Sequence, residues 1–78
     1  MRYFFDVTDQ AGRDLDTEGV WLGTFDAMRA QAKRTLTRIA SEEPSSGGQT
    51  LLSLRVRDEQ GREVYHLSLH LQEELQAH

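Results

Sequence analysis

The sequence predicts a small α+β domain of ββαββ order, a four-stranded and mainly antiparallel sheet with one helix packed on one face. Three observations predict it. The turn Asp-x-x-Gly-Arg occurs twice, as Asp9-Gln10-Ala11-Gly12-Arg13 and as Asp58-Glu59-Gln60-Gly61-Arg62. Each copy follows a run of alternating apolar residues, the period of a strand with one buried face, so each reads as the bend of a hairpin. Between them, one stretch carries apolar residues at spacings of three and four, the period of a helix. The 78 residues therefore form a single domain: a hairpin over 1–22, a helix over 24–41, a second hairpin over 50–71 and a frayed tail over 72–78.

In the first strand, Tyr3, Phe5 and Val7 alternate with Phe4, Asp6 and Thr8. At the bend, Gly12 can adopt a positive φ while the Asp9 side chain accepts from backbone amides ahead of it. The return segment from Asp14 to Leu22 is weaker. Asp14, Asp16 and Glu18 dilute it, Gly19 interrupts it, and Val20-Trp21-Leu22 alone has strand character. This pattern predicts a short or bulged edge strand, charged along its exposed side.

Thr24 is suited to an N-cap, and Asp26 adds a carboxylate to the first helical turn. Phe25, Met28, Ala32, Leu36 and Ile39, with Ala40 beside them, form the apolar stripe of a helix from about Phe25 to Ser41. Glu42-Glu43-Pro44 ends it, because the residue before a proline is pushed out of the helical region. Ser45-Ser46-Gly47-Gly48 reads as a flexible connection. Leu52, Leu54 and Val56 mark the third strand. Tyr65, Leu67, Leu69 and Leu71 mark the fourth and longest.

The inward set is then Tyr3, Phe5, Val7, Val20, Leu22, Leu52, Leu54, Val56, Tyr65, Leu67, Leu69 and Leu71, covered by the helix stripe. Strand order 2-1-3-4 with a right-handed crossover is the simplest arrangement, and 2-1-4-3 is the alternative. The reverse face would show Phe4, Leu51 and Val64 among Asp6, Arg55, Arg57, His66 and His70, with Trp21 beside them. Four large apolar groups on a wet face approach the size at which a patch indicates an interface. Phe4, Trp21, Leu51 and Val64 are therefore the candidate interface. Homodimerisation through this face, or through an open sheet edge, is the expectation.

Composition narrows the remaining classes. A chain this short buries about 60–65% of the surface its unfolded form exposes, so its core is thin. With no cysteine, disulfides cannot compensate, and self-association is the remaining route to extra stability. No apolar run approaches the roughly 20 residues of a membrane span. Met1 to Asp6 lacks the apolar core of a secretory signal, and a cytoplasmic location is expected. The net charge of −4 argues against a general nucleic-acid partner, since phosphate neutralisation supplies most nonspecific affinity. Arg29, Lys33, Arg34 and Arg38 nonetheless give the helix a candidate basic face. Such a face is ordinarily a solvated surface whose cations suit the helix C-terminal half. Its functional reading is a docking surface for an acidic partner or nucleic acid.

Little in the chain carries chemistry. Asp14-Leu15-Asp16-Thr17-Glu18-Gly19 imitates the start of a calcium loop, but the twelfth position is Phe25 instead of glutamate and no helix precedes it. His66 and His70 share a strand face about 13 Å apart, too far to bracket one ion. Ser68 lies on that face about 6.8 Å from either histidine, beyond the reach that an activated nucleophile requires. Gly47-Gly48 lacks the lysine and following helix of a phosphate loop. No enzyme, cofactor or metal is expected.

The segments Arg2-Tyr3-Phe4-Phe5-Asp6-Val7, Asp9…Gly12 and Asp16-x-Glu18-Gly19-Val20-x-Leu22, followed by an alanine-rich helix, resemble a domain-of-unknown-function family of short bacterial proteins found in rhizobia and related proteobacteria. The resemblance spans nearly the whole chain, since that family also ends in a strand–Asp-x-x-Gly–strand hairpin. It implies the fold and no activity, cofactor or site. Thr24-Phe25-Asp26-Ala27 is similar, more loosely, to the helix start of HicB-type antitoxins, which bind a small basic toxin. The expected function is a non-catalytic protein-interaction module acting as a homodimer. The alternative is a nucleic-acid-associated or HicB-like regulator. The partner is a second copy or another protein, with no membrane involved.

Overall fold

The first strand and the strand that follows the helix are the two inner strands of the sheet, each paired along both edges. The computed structural model describes residues 1–42, 48–74 and 76. The elements are β1 (Arg2–Asp9), β2 (Gly12–Asp14), β3 (Val20–Trp21), α1 (Phe25–Glu42), β4 (Gly48–Arg57) and β5 (Glu63–Glu73). The antiparallel sheet runs β2-β1-β4-β5, with β3 also pairing β1. The α+β class and the helix on one face are as the sequence predicts. The order differs in one respect: the expected second strand is two short pieces, so five strands are present.

That split has a simple cause. Val7 pairs with Asp14 and Tyr3 with Val20, so the five residues from Leu15 to Gly19 must span what three residues span on β1. They bow out of the ladder. The Phe5 amide, which a continuous strand would satisfy, instead donates to Asp16 Oδ2 at 3.1 Å. Gly19 closes the bow at φ +75°, and a Cβ there would sit 2.9 Å from Arg2 Cγ and 3.0 Å from the Tyr3 carbonyl.

The twin turns work as expected. Asp9 Oδ1 accepts from the Ala11 and Gly12 amides at 2.8 and 3.0 Å. Asp58 Oδ1 accepts from Gln60 and Arg62, both at 2.9 Å. Gly12 and Gly61 take positive φ. Thr24 caps α1 through its hydroxyl, which accepts from the Ala27 amide at 3.0 Å.

Met28, Ala32 and Leu36 from α1 bury against Tyr3, Leu52, Leu54 and Val56, with Phe5, Val7, Leu22, Ile39, Ala40, Tyr65, Leu67 and Leu69 packed around them. The register is the expected one: the Phe5, Leu54 and Leu67 face meets the helix. Three expected core residues do not join it: Val20, half-buried in the two-residue strand β3, Phe25 and Leu71. Phe25 is 49% exposed, with its ring set edge-to-face against that of Tyr65, 6.2 Å between centroids. Leu71 is exposed, lying on the outermost strand. Helix and hairpin run slightly beyond the expected bounds, α1 to Glu42, β4 from Gly48 and β5 to Glu73. Hence 72–73 are strand and not tail. The expected stop at Glu43-Pro44, the connection through Gly47 and the last tail residues Leu75, Ala77 and His78 lie outside the described residues.

Gly19→Ala should destabilise the domain by about 1–3 kcal/mol in urea unfolding, the cost of a side chain in left-handed backbone. Gly23→Ala, where an added methyl meets nothing within 4 Å, should shift stability by less than about 1 kcal/mol. Equal effects would contradict this account of the bow.

Candidate interaction surface

The reverse face of the sheet is organised by charge. Arg57 on β4 donates through Nε to Asp6 Oδ2 at 2.6 Å and through Nη2 to Asp6 Oδ1 at 3.0 Å, a bidentate pair. The same Nη2 reaches the Asp16 carbonyl at 2.9 Å. Asp6 Oδ1 also accepts the Asp16 amide at 3.0 Å. Asp16 in turn accepts from Glu18 and Gly19 through Oδ1, both at 3.0 Å. The bow is thereby tied to β1 and β4 at once. Asp6 is 7% exposed, which is tolerable for a carboxylate only because it is paired and hydrogen-bonded.

Burial by itself would raise the Asp6 carboxyl. The Arg57 hydrogen bond, the Asp16 amide and the Arg57 charge outweigh it and hold the group below the ordinary carboxylate range. Asp16 is lowered likewise: burial opposes, but the Gly19, Phe5 and Glu18 amides and the Arg57 charge prevail. At Asp58 burial is again overcome, by the Arg62 amide and guanidinium and the Gln60 amide. The Arg57 pKa is raised, chiefly by its hydrogen bond to Asp6.

The four candidate interface residues do not form one patch. Phe4 lies between two guanidinium groups, Arg2 at 5.1 Å and Arg57 at 5.0 Å from its centroid. Trp21 is 68% exposed and shares Arg2, which stands 5.6 Å from its ring. Leu51 pairs with His70 at the other end of the sheet and is 57% exposed. Three same-face steps along β4 separate Leu51 from Arg57, about 20 Å. Val64 falls where the β4–β5 register shifts, opposite Val56 and Arg57.

Nor do the helix cations converge. At about 100° per residue, Arg29 and Lys33 occupy one flank of α1, and Arg34 and Arg38 point about 100° or more away. Arg29 lies over the Tyr65 ring at 5.9 Å and within 3.7 Å of Asp26. Lys33 borders a cleft of about 230 Å³ with Leu36, Thr37, Leu67, Ser68 and Leu69. Arg34 donates to Gln31 at 2.8 Å, and Arg38 approaches Glu42 at 3.9 Å.

That cleft runs beside the outer edge of β5. Among the described residues β5 pairs with β4 and no other strand, so its second edge offers backbone donors and acceptors to a partner. The run Val64 to Gln72 has no Asp, Glu, Lys, Arg, Pro or Gly. None of the usual guards of an open edge is present along it, apart from the register shift near its start.

The chemical imitations resolve structurally. Both oxygens of Asp16 are occupied by backbone amides, so the calcium-like sequence builds a turn. His66 and His70 pair with Arg55 and Leu51 across β4. Among the described residues no group of three or more acidic or imidazole side chains is gathered as a metal site, and no helix is long and apolar enough to cross a membrane. Sequence reasoning placed Asp6 and Arg57 on one face but did not pair them. The strand register sets Asp6 opposite Arg55, and Arg57, one same-face step along β4, reaches Asp6 diagonally.

Over residues 2–70 the sequence matches a family described as a domain of unknown function, DUF6894. The chain belongs to that family. No curated protein and no solved structure matches it. The Asp16-x-Glu18-Gly19-Val20 segment of this DUF6894 domain thus has a structural assignment: carboxylate, tight turn and short strand closing the bow.

Because Asp6, Asp16 and Asp58 have lowered folded pKa values, their contribution is complete above the unfolded carboxylate pKa of about 4 and is lost as pH falls through the folded values. The urea midpoint should stay level from neutrality to about pH 5 and drop below about pH 4. Arg57→Ala should cost on the order of 2–3 kcal/mol at neutral pH. Asp6→Asn should start less stable and show a shallower acid decline. Parallel declines for Asp6→Asn and the parent would contradict the assignment.

Proposed function

We propose that the DUF6894 domain is a non-catalytic protein-interaction module that acts as a homodimer in the bacterial cytoplasm. The observation that carries this is the outer edge of β5, free of formally charged residues from Val64 to Gln72, beside an apolar cleft. A strand of this length seldom stays bare, because its free backbone groups template another strand. Of the four candidate interface residues, Leu51 and Val64 lie toward this side of the sheet, one beside His70 and one within β5. Phe4 and Trp21 lie toward the side where Arg2 packs. A thin core that gains from self-association points the same way. The bacterial setting is supported by the sequence resemblance, and the cytoplasm by a cysteine-free chain that needs no oxidising compartment.

The nucleic-acid or antitoxin reading draws less support, because Arg29 and Lys33 face away from Arg34 and Arg38 and the chain is acidic overall. Sedimentation of the purified domain should show a dimer at micromolar concentrations that dissociates on dilution. A monomer at high micromolar concentration would contradict the proposal. Duplex DNA should bind weakly at physiological salt, whereas tight binding with a steep salt dependence would favour the alternative.

A further inference from the structure

We propose that the corner of the sheet formed by Arg2, Phe4 and Trp21 is a second docking site, one that takes an acidic segment of another protein. The two arginines around Phe4 make the case. Arg57 lies over that ring at 5.0 Å and holds the Asp6 carboxylate through Nε and Nη2. Arg2 lies over the same ring at 5.1 Å and over the Trp21 ring at 5.6 Å. Yet among the described residues no carboxylate forms an ion pair with it. The nearby Glu59 accepts from the Arg2 backbone amide, at 2.8 Å. Arg57 thus has both its ring and its anion, and Arg2 has its rings alone.

The Arg2 Nε is closed to solvent and has no hydrogen-bond partner. A guanidinium stacked on aromatic rings engages its faces and leaves its in-plane N–H groups for a planar anion. A cation partly stripped of water, with one donor unmet, gains more from an approaching anion than a fully solvated one does. The bow sets this side chain in place, since Gly19 leaves room for the Arg2 stem where a methyl would meet Cγ at 2.9 Å.

The same corner supplies an apolar contact. Trp21 is 68% exposed, and its pairing with Arg2 across the β1–β3 ladder sets the two side chains side by side. A ring already stacked loses less freedom when a partner covers it. Tryptophan and arginine are also the residues that most often dominate the energy of an interface.

Charge selects the partner. One guanidinium without an ion pair, with the Glu59 carboxylate close by, balances a single carboxylate better than a phosphate dianion. The partner is therefore a segment with an acidic side chain next to an apolar one. The carboxylate seats against the in-plane donors of Arg2, and the apolar neighbour covers Trp21. Along the order β3-β1-β4-β5, three strand spacings of about 14 Å in all separate this corner from β5. The site therefore does not depend on the homodimer.

Trp21 is the single tryptophan of the sequence, so its fluorescence reports on this corner. The probe is a capped pentapeptide carrying one glutamate between two leucines, compared with its glutamine counterpart and with inorganic phosphate. The glutamate peptide should shift Trp21 emission saturably, and the glutamine peptide should bind roughly three- to thirty-fold more weakly. Arg2→Met should abolish that preference, and Arg2→Lys, which keeps the charge without the fork, should retain part of it. Circular dichroism checks that both variants fold, and the peptide exchange itself leaves the protein untouched.

Equal binding of the two peptides, no saturable response to either at millimolar concentration, or a preference that survives Arg2→Met would overturn the carboxylate site. Phosphate that binds more tightly than the glutamate peptide would overturn the acidic-protein partner. Trp21 emission that shifts when the protein alone is concentrated would show the corner covered by a second copy, and would overturn the separate partner.

Discussion

The interaction on which the rest depends is the closure of the gap in β1's outer ladder. Two residues too many lie between β2 and β3, and the chain answers with a side chain where a strand would have used its backbone. Asp16 accepts the orphaned Phe5 amide, its own amide and carbonyl are held by Asp6 and Arg57, and Gly19 turns the chain back toward β3. Once β1 is sealed on that side, its other edge receives β4, and α1 can cross from β3 to β4 over the core. A largely buried ion pair such as Asp6–Arg57 is a poor source of raw stability. Here it fixes where a short, weakly strand-forming segment must lie.

The consequence is an asymmetric sheet. The β2/β3 side is short, bowed and tied down by hydrogen bonds, features that protect an edge. The β5 side is long, regularly paired beyond its initial register shift, and free of formal charge along its middle. One edge is built to end the sheet and the other is left able to extend it. The leucine-lined cleft and the cationic flank of α1 lie on the extendable side, which is why edge, cleft and charge are best treated as one surface.

Most of the fold was legible from period and turn chemistry. Strict alternation in Tyr3-Phe5-Val7 and Leu52-Leu54-Val56, the spacing of Met28, Ala32 and Leu36, and the two Asp-x-x-Gly turns each act locally, so local pattern reveals them. What stayed hidden was non-local. Asp16 looked like a solvated or calcium-like acid because its partners, Phe5 and Arg57, are distant in sequence. Phe25 fitted the helical stripe, but the stripe alone does not tell which of its members end up covered. The four apolar residues of the reverse face looked like one patch because alternation gives the face and not the position along the strand.

The claim that β5's outer edge is a docking edge is tested most directly by residue-resolved amide hydrogen exchange at two protein concentrations. The account predicts that alternate amides of β5, those pointing away from β4, exchange quickly in dilute solution and become protected as concentration rises. The amides of β1 and β4 should keep their protection throughout. Rapid exchange of those outward amides at every concentration, or concentration-dependent protection confined to the segment around Trp21, would contradict it.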